Sequence, residues 1–178
     1  MNRSILIPLL ALFVAAAVLS GAAWGLAGLQ AQNEQEQLTK TLQTLLHGSE
    51  EFTSEPYTGE DANIQALYKA ENGYVVETET AGYAGPIRML VGVSNEGTVT
   101  GLVVREMEET FGLGMHALFD HEFLAQFLNT SGEAAVGETV DAISGATVTS
   151  KAIARSVNSA VAVVTGADTF SSATTWGG

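Results

Sequence analysis

No cysteine occurs among the 178 residues, which removes disulfide frameworks, thiolate nucleophiles, Cys-ligated zinc and thiolate-held iron–sulfur clusters together. Any redox role must therefore use a cofactor held by something other than sulfur. Basic residues are also scarce: 7 Lys and Arg stand against 20 Asp and Glu, for a formal net charge of −13. Such a chain repels polyanions, so nucleic acid is excluded as a partner. Only 15% of the residues are charged while 46% are hydrophobic, enough to bury a core and too apolar for a disordered tail. The length suits one domain with an appendage and rules out two large ones.

What is present starts with an apolar run. No charge lies between Arg3 and Glu34, and Ile5 to Leu29 is almost unbroken, longer than the ~20 residues that cross a bilayer core. Pro8 falls in the first turn, where a missing donor costs nothing. A cleaved leader, with Ser20-Gly21-Ala22 as its small-residue site, is the competing reading; the continuation through Trp24, Leu26 and Leu29 favours a retained anchor over residues 1–30. Arg3 precedes the span and the first basic residue after it is Lys40, so the positive-inside rule places the N-terminus in the cytoplasm and the body outside.

The expected organisation is a helical linker region over 31–72, a domain over 73–165 and a flexible Ser/Thr/Gly-rich tail over 166–178. Leu38, Leu42, Leu45 and Leu46 keep helical spacing up to His47-Gly48, and Glu50 to Glu60 reads as an acidic loop. Asn63 to Ala70 is expected to be a short helix ended by the Asn72-Gly73 turn signal. From Tyr74 the period becomes two. Tyr74–Thr80, Ile87–Val93 and Thr98–Arg105 read as strands, the last two joined by a hairpin at Ser94-Asn95-Glu96-Gly97. Helical spacing returns in Met115–Leu128 and again, amphipathically, in Thr147–Val164. Between them Asn129–Glu138 reads as a loop and Thr139–Ile143 as a short strand. Strands followed by helices give an α+β class, an antiparallel sheet flanked by helices.

The chemistry-bearing segment is Asp141-Ala142-Ile143-Ser144-Gly145-Ala146-Thr147-Val148-Thr149-Ser150-Lys151. It enters a helix, whose unpaired N–H groups and positive dipole end suit a phosphate; helix capping by Ser144 or Thr147 is the plainer use. A phosphate-binding loop of the NTPase kind needs Gly-Lys followed by Ser or Thr. Here Ser150 precedes Lys151 and Ala152 follows, so that chemistry is excluded. No dinucleotide fingerprint follows a strand, which argues against a self-contained NADH-dependent flavin reductase. His116 and His121 diverge by about 140° on a helix and Ala125 stands where a zinc-binding pattern needs a second His, so no metal site is expected.

The same segment resembles the flavinylation motif of the FMN-binding domains in the Rnf and Na+-pumping NADH:quinone oxidoreductase complexes, where an Asp precedes a Ser/Thr-Gly-Ala-Thr run. Glu109-Thr110-Phe111-Gly112-Leu113-Gly114 resembles that family's Glu-Thr-Pro-Gly-Leu-Gly loop, with Phe111 in the place of Pro. Gly82-Tyr83-Ala84-Gly85-Pro86-Ile87 is similar to its glycine-tyrosine segment. The chain is most similar to the G subunit of Rnf, with the C subunit of the sodium pump as the near relative.

The resemblance implies covalent FMN, joined to Thr147 by a phosphoester that a separate flavin transferase makes. Asp141, Ser144, Gly145, Ala146, Ser150 and Lys151 would surround the phosphate, and Glu109, Thr110, Gly112, Leu113 and Gly114 the ring. It further implies an electron relay inside a complex coupling ferredoxin:NAD+ electron transfer to ion movement. The partners are then the complex's membrane and iron–sulfur or flavin subunits and the lipid bilayer. On this reading the protein would be a single-pass inner-membrane component, its FMN domain on the periplasmic side, that completes no reaction alone. The alternatives are the C subunit of the sodium pump and an anchored non-redox binding domain in which Thr147 merely caps a helix.

Overall fold

Strand-forming residues in this chain come as three consecutive runs with short turns between them, and in a computed structural model they pair in sequence order. The structure describes residues 32–109, 114 and 120–167; the apolar run 5–29 and most of the tail lie outside them. Among the described residues no helix is long and apolar enough to cross a membrane. The chain divides into two units, Met1–Lys40 and Thr41–Gly178. Residues 32–45 are helical (α1). In the first unit an exposed Lys40–Glu36 pair at 2.7 Å spans one helical turn.

The second unit is a five-stranded antiparallel meander in the order β1 (Thr53–Glu55), β2 (Ile64–Ala70), β3 (Gly73–Ala81), β4 (Pro86–Ser94) and β5 (Val99–Met107). A short helix α2 (His121–Ala125) and the long α3 (Thr147–Thr165) follow. The α+β class and the three central strands agree with the sequence reading. So does the turn between β4 and β5, where Gly97 at φ +82 takes the left-handed conformation.

One sheet face makes the core. Register places Val76 opposite Val91, Thr78 opposite Met89 and Thr80 opposite Ile87, and all six are buried. Ile153, Val157, Ala160 and Val161 of α3 join the same apolar cluster. Each large aliphatic side chain fully buried there contributes roughly 1.5–3 kcal/mol. Phe123 and Phe127, edge to face at 5.3 Å, close one side of that cluster. On the other sheet face Arg88 bridges Glu79 and Glu106, and Arg105 pairs with Glu77. Burial, reinforced by the nearby Glu77 charge, raises the Tyr68 phenol above its usual 10.0, and the phenol donates to Glu77 Oε2 at 3.3 Å.

Four expectations are corrected. Asn63–Ala70 is not a helix: residues 64–70 are strand β2. The acidic segment 50–60 contains the edge strand β1, so residues assigned to a helical linker supply two strands of the sheet. Thr139–Ile143 forms no strand; only an isolated bridge joins Val136 and Val140. Of the helix expected over 115–128, the described part is helical over His121–Ala125 and turns thereafter, with 115–119 outside the described residues.

Candidate functional site

The loop before α3 is built around one hydroxyl. Ser150 Oγ accepts the Ile143 N–H at 3.0 Å and donates to the Ala146 carbonyl at 3.0 Å. Ala146 N–H donates to the Ile143 carbonyl at 2.9 Å, closing a turn with Ser144 and Gly145 at its centre. Gly145 has φ +77, the left-handed backbone that the third position of such a turn demands and that glycine supplies without strain. Ser150 is fully buried with its hydroxyl engaged on both sides. It therefore shapes the loop, whereas the resemblance implied contact with the phosphate.

That turn delivers Thr147 as the first residue of α3, exposed. The cap position is Ala146, with no side-chain cap hydrogen bond, so neither Ser144 nor Thr147 performs the capping that was the plainer reading. The helix starts with its positive end unscreened by a capping side chain. Lys151 and Arg155 follow Thr147 at four-residue intervals, both exposed. That spacing stacks all three on one helix face. Asp141 is exposed at the start of the loop, its N–H held by Gln126 Oε1 at 2.8 Å.

The three segments singled out in the sequence meet at this end of the sheet. Glu109 Oε1 accepts the Tyr83 N–H at 2.6 Å and Oε2 the Ala84 N–H at 3.3 Å. Gly82 N–H donates to the Gly85 carbonyl at 2.9 Å, tightening the turn between β3 and β4. A side chain at Gly85 would collide with Glu108 Cβ at 2.7 Å, and one at Gly82 with Glu109 Oε1. A Cβ at Gly114 would stand 2.8 Å from both Glu109 Oε2 and Thr149 Oγ1. Gly114 therefore joins the Glu109 loop to the first turn of α3. The end of β3 and the turn into β4, residues 79–86, also line an open cleft of about 380 Å³. Thr110, Gly112 and Leu113 lie outside the described residues.

Sequence reasoning missed Arg155, whose Nη2 donates to the Ala81 carbonyl at 3.0 Å and fixes it beside the Gly82 turn. Its signal was available as the four-residue spacing Thr147, Lys151, Arg155. It also missed Thr80, whose hydroxyl lies 3.1 Å from the Ala152 carbonyl and 3.0 Å from Ser156 Oγ, pinning α3 to β3.

An exposed hydroxyl at a helix start, the cations Lys151 and Arg155 on the same helix face and the open cleft beside the Gly82 turn together suit a phosphorylated ligand. Residues 82–162, which enclose all three segments, match the FMN-binding domain family. The chain is 36% identical over 142 residues to the G subunit of the ion-translocating oxidoreductase complex of Methanosarcina acetivorans, covering 71% of this chain and 74% of that one. It is 35% identical over 100 residues to the G subunit of the Na+-translocating ferredoxin:NAD+ oxidoreductase complex of Acetobacterium woodii (51% of this chain, 48% of the relative). Against the G subunit of the proton-translocating ferredoxin:NAD+ oxidoreductase complex of Clostridium ljungdahlii the identity is 36% over 110 residues (55% and 59%). The chain thus spans about half the length of the latter two relatives.

Proposed function

This chain belongs to the family of G subunits of ion-translocating oxidoreductase complexes, and from that premise we propose that it is the electron-transfer subunit of a ferredoxin:NAD+ oxidoreductase of that kind, carrying FMN as a phosphoester on Thr147. The matches to the FMN-binding domain family and to three G subunits support the flavin and the complex. The observation that carries the attachment point is the exposure of Thr147 at the uncapped start of α3, two residues from the Thr149 that abuts Gly114.

FMN supplies the one- and two-electron chemistry when bound; the protein's part is attachment, orientation and electrostatics. Thr147 Oγ1 is the ester oxygen. The first-turn amides of α3, with Lys151 and Arg155 on the same helix face, hold the remaining phosphate charge. The segment from Glu109 to Gly114 and the Gly82 turn, which meet beside the start of α3, would flank the ring. A threonine hydroxyl is a weak nucleophile without an adjacent base, so a separate flavin transferase makes the bond. The tether prevents loss of the carrier by dissociation. We further propose that residues 1–30 anchor the chain in the cytoplasmic membrane with the flavin domain outside, against the complex's other subunits.

Co-expression with a flavin transferase tests this directly. The intact protein should gain the mass of FMN less one water and stay yellow after denaturation and gel filtration, while Thr147→Val should be colourless. An unmodified mass beside an active transferase, or chromophore mapped to another peptide, overturns the assignment.

A further inference from the structure

We propose that Glu109 is a positioning residue of the flavin site: its carboxylate locks the Gly82–Gly85 turn against Gly114 and the first turn of α3, fixing the width of the cradle. This rests on the flavin reading above. The resemblance implied that Glu109 touches the ring as a polar contact, but the geometry gives its oxygens other work. Both are taken by one turn, Oε1 by the Tyr83 N–H at 2.6 Å and Oε2 by the Ala84 N–H at 3.3 Å. An ionised carboxylate is acceptor-only and can receive both N–H groups; an amide of the same shape offers one oxygen and turns a donor toward the second.

Two glycines make room for that carboxylate. Oε1 stands against Gly82 and Oε2 against Gly114, so that a Cβ at either position would displace it. Gly114 in turn abuts Thr149, which is 1% exposed and so fixed by packing. A continuous series of contacts therefore runs from the β3–β4 turn through Glu109 and Gly114 to the helix start that presents Thr147. Tyr83 is 73% exposed, and its backbone N–H is held by Glu109. Charge-assisted bonds of this kind are stronger than neutral ones, which suits a turn with little side-chain packing of its own.

The test uses the full chain with Glu109→Gln, with and without flavin. In unloaded protein the Tyr83 and Ala84 amides should exchange about tenfold faster or more, as expected for loss of a hydrogen bond to a charged acceptor, while the core amides of β3 and β4 keep wild-type rates and so report an intact fold. In loaded protein the flavin's visible circular dichroism should weaken and its local fluorescence depolarisation quicken. Glu109→Asp, which keeps the charge and both acceptors on a shorter stem, should recover part of both signals. Unchanged amide exchange overturns the latch. Faster exchange with unaltered flavin spectroscopy overturns the role toward the cofactor. If the wild-type chain takes up no flavin, the attachment at Thr147 fails, and the positioning role with it, while the exchange data still report whether Glu109 holds the turn.

Discussion

Thr80 is a small residue in an apolar interface, and its hydroxyl decides how α3 sits on β3. Thr80 Oγ1 lies within hydrogen-bond distance of both the Ala152 carbonyl and Ser156 Oγ, and Thr80 and Ser156 are 2% and 0% exposed. Thr80→Val keeps the shape and removes the bond, leaving a buried serine hydroxyl with one fewer partner. The expected cost is about 1–2 kcal/mol in urea unfolding. Adding Ser156→Ala removes the stranded partner, so the double variant should lose clearly less than the sum of the single losses. Strict additivity would show that the two hydroxyls do not share an interaction. Because α3 carries Thr147 at its first position, this pair helps to fix the helix that presents the proposed attachment point.

At the scale of elements, a pair of glycines lets two pieces of chain touch. Gly92 and Gly101 face each other across β4 and β5, and the backbone at Leu45 lies over them. The Leu45 carbonyl also accepts the Thr100 hydroxyl at 2.6 Å. A Cβ at Gly92 would stand 2.5 Å from that carbonyl oxygen, against backbone that cannot rotate away. Gly92→Ala should therefore cost about 1–3 kcal/mol, the usual range for overpacking a tight contact. It should also speed amide exchange at residues 41–46 without affecting β3. An unchanged unfolding midpoint would mean that the segment shifts at no cost. The glycines themselves were visible in the sequence, but nothing local says that they pair.

The same contrast explains what else the sequence did and did not disclose about elements. β3, β4, β5 and α3 were legible because their apolar periods follow from their own burial. β2 misled through a bulge: its register shifts between Ile64 and Ala66, so Ile64 opposite Thr78 and Leu67 opposite Val76 point to one face although three residues apart. That spacing is what a helix would show, and pairing with β3 overrides it. β1 is three residues long and mostly exposed, too short to carry a period. At the candidate site, Thr147 and the glycine-containing segments were singled out by their resemblance to the FMN-binding family. Their convergence through Glu109 was not, since Tyr83 and Glu109 are 26 positions apart and only the meander brings them together.

For the whole molecule, seven cations face twenty acids, and the cations that are paired add little. Arg88 with Glu79 and Glu106, Arg105 with Glu77, and Lys69 with Glu55 are all ion pairs whose basic side chains are 43–49% exposed, and surface pairs of that kind contribute about 0–1 kcal/mol each. The remaining acids act on one another over longer distances, and a net charge of −13 opposes compaction. Raising ionic strength from ~0.01 M to ~0.15 M shortens the screening length from about 30 Å to about 8 Å. Repulsions spread across the domain are then damped strongly, while contacts near 3 Å are damped much less. The thermal unfolding midpoint of the purified protein should therefore rise with NaCl over this range. Replacing Glu50 and Glu51, in the acidic segment before β1, by Gln should raise the low-salt midpoint and flatten its salt dependence. A midpoint that falls as salt is added would instead mean that the short-range pairs, and not the surplus of negative charge, dominate the electrostatics of the fold.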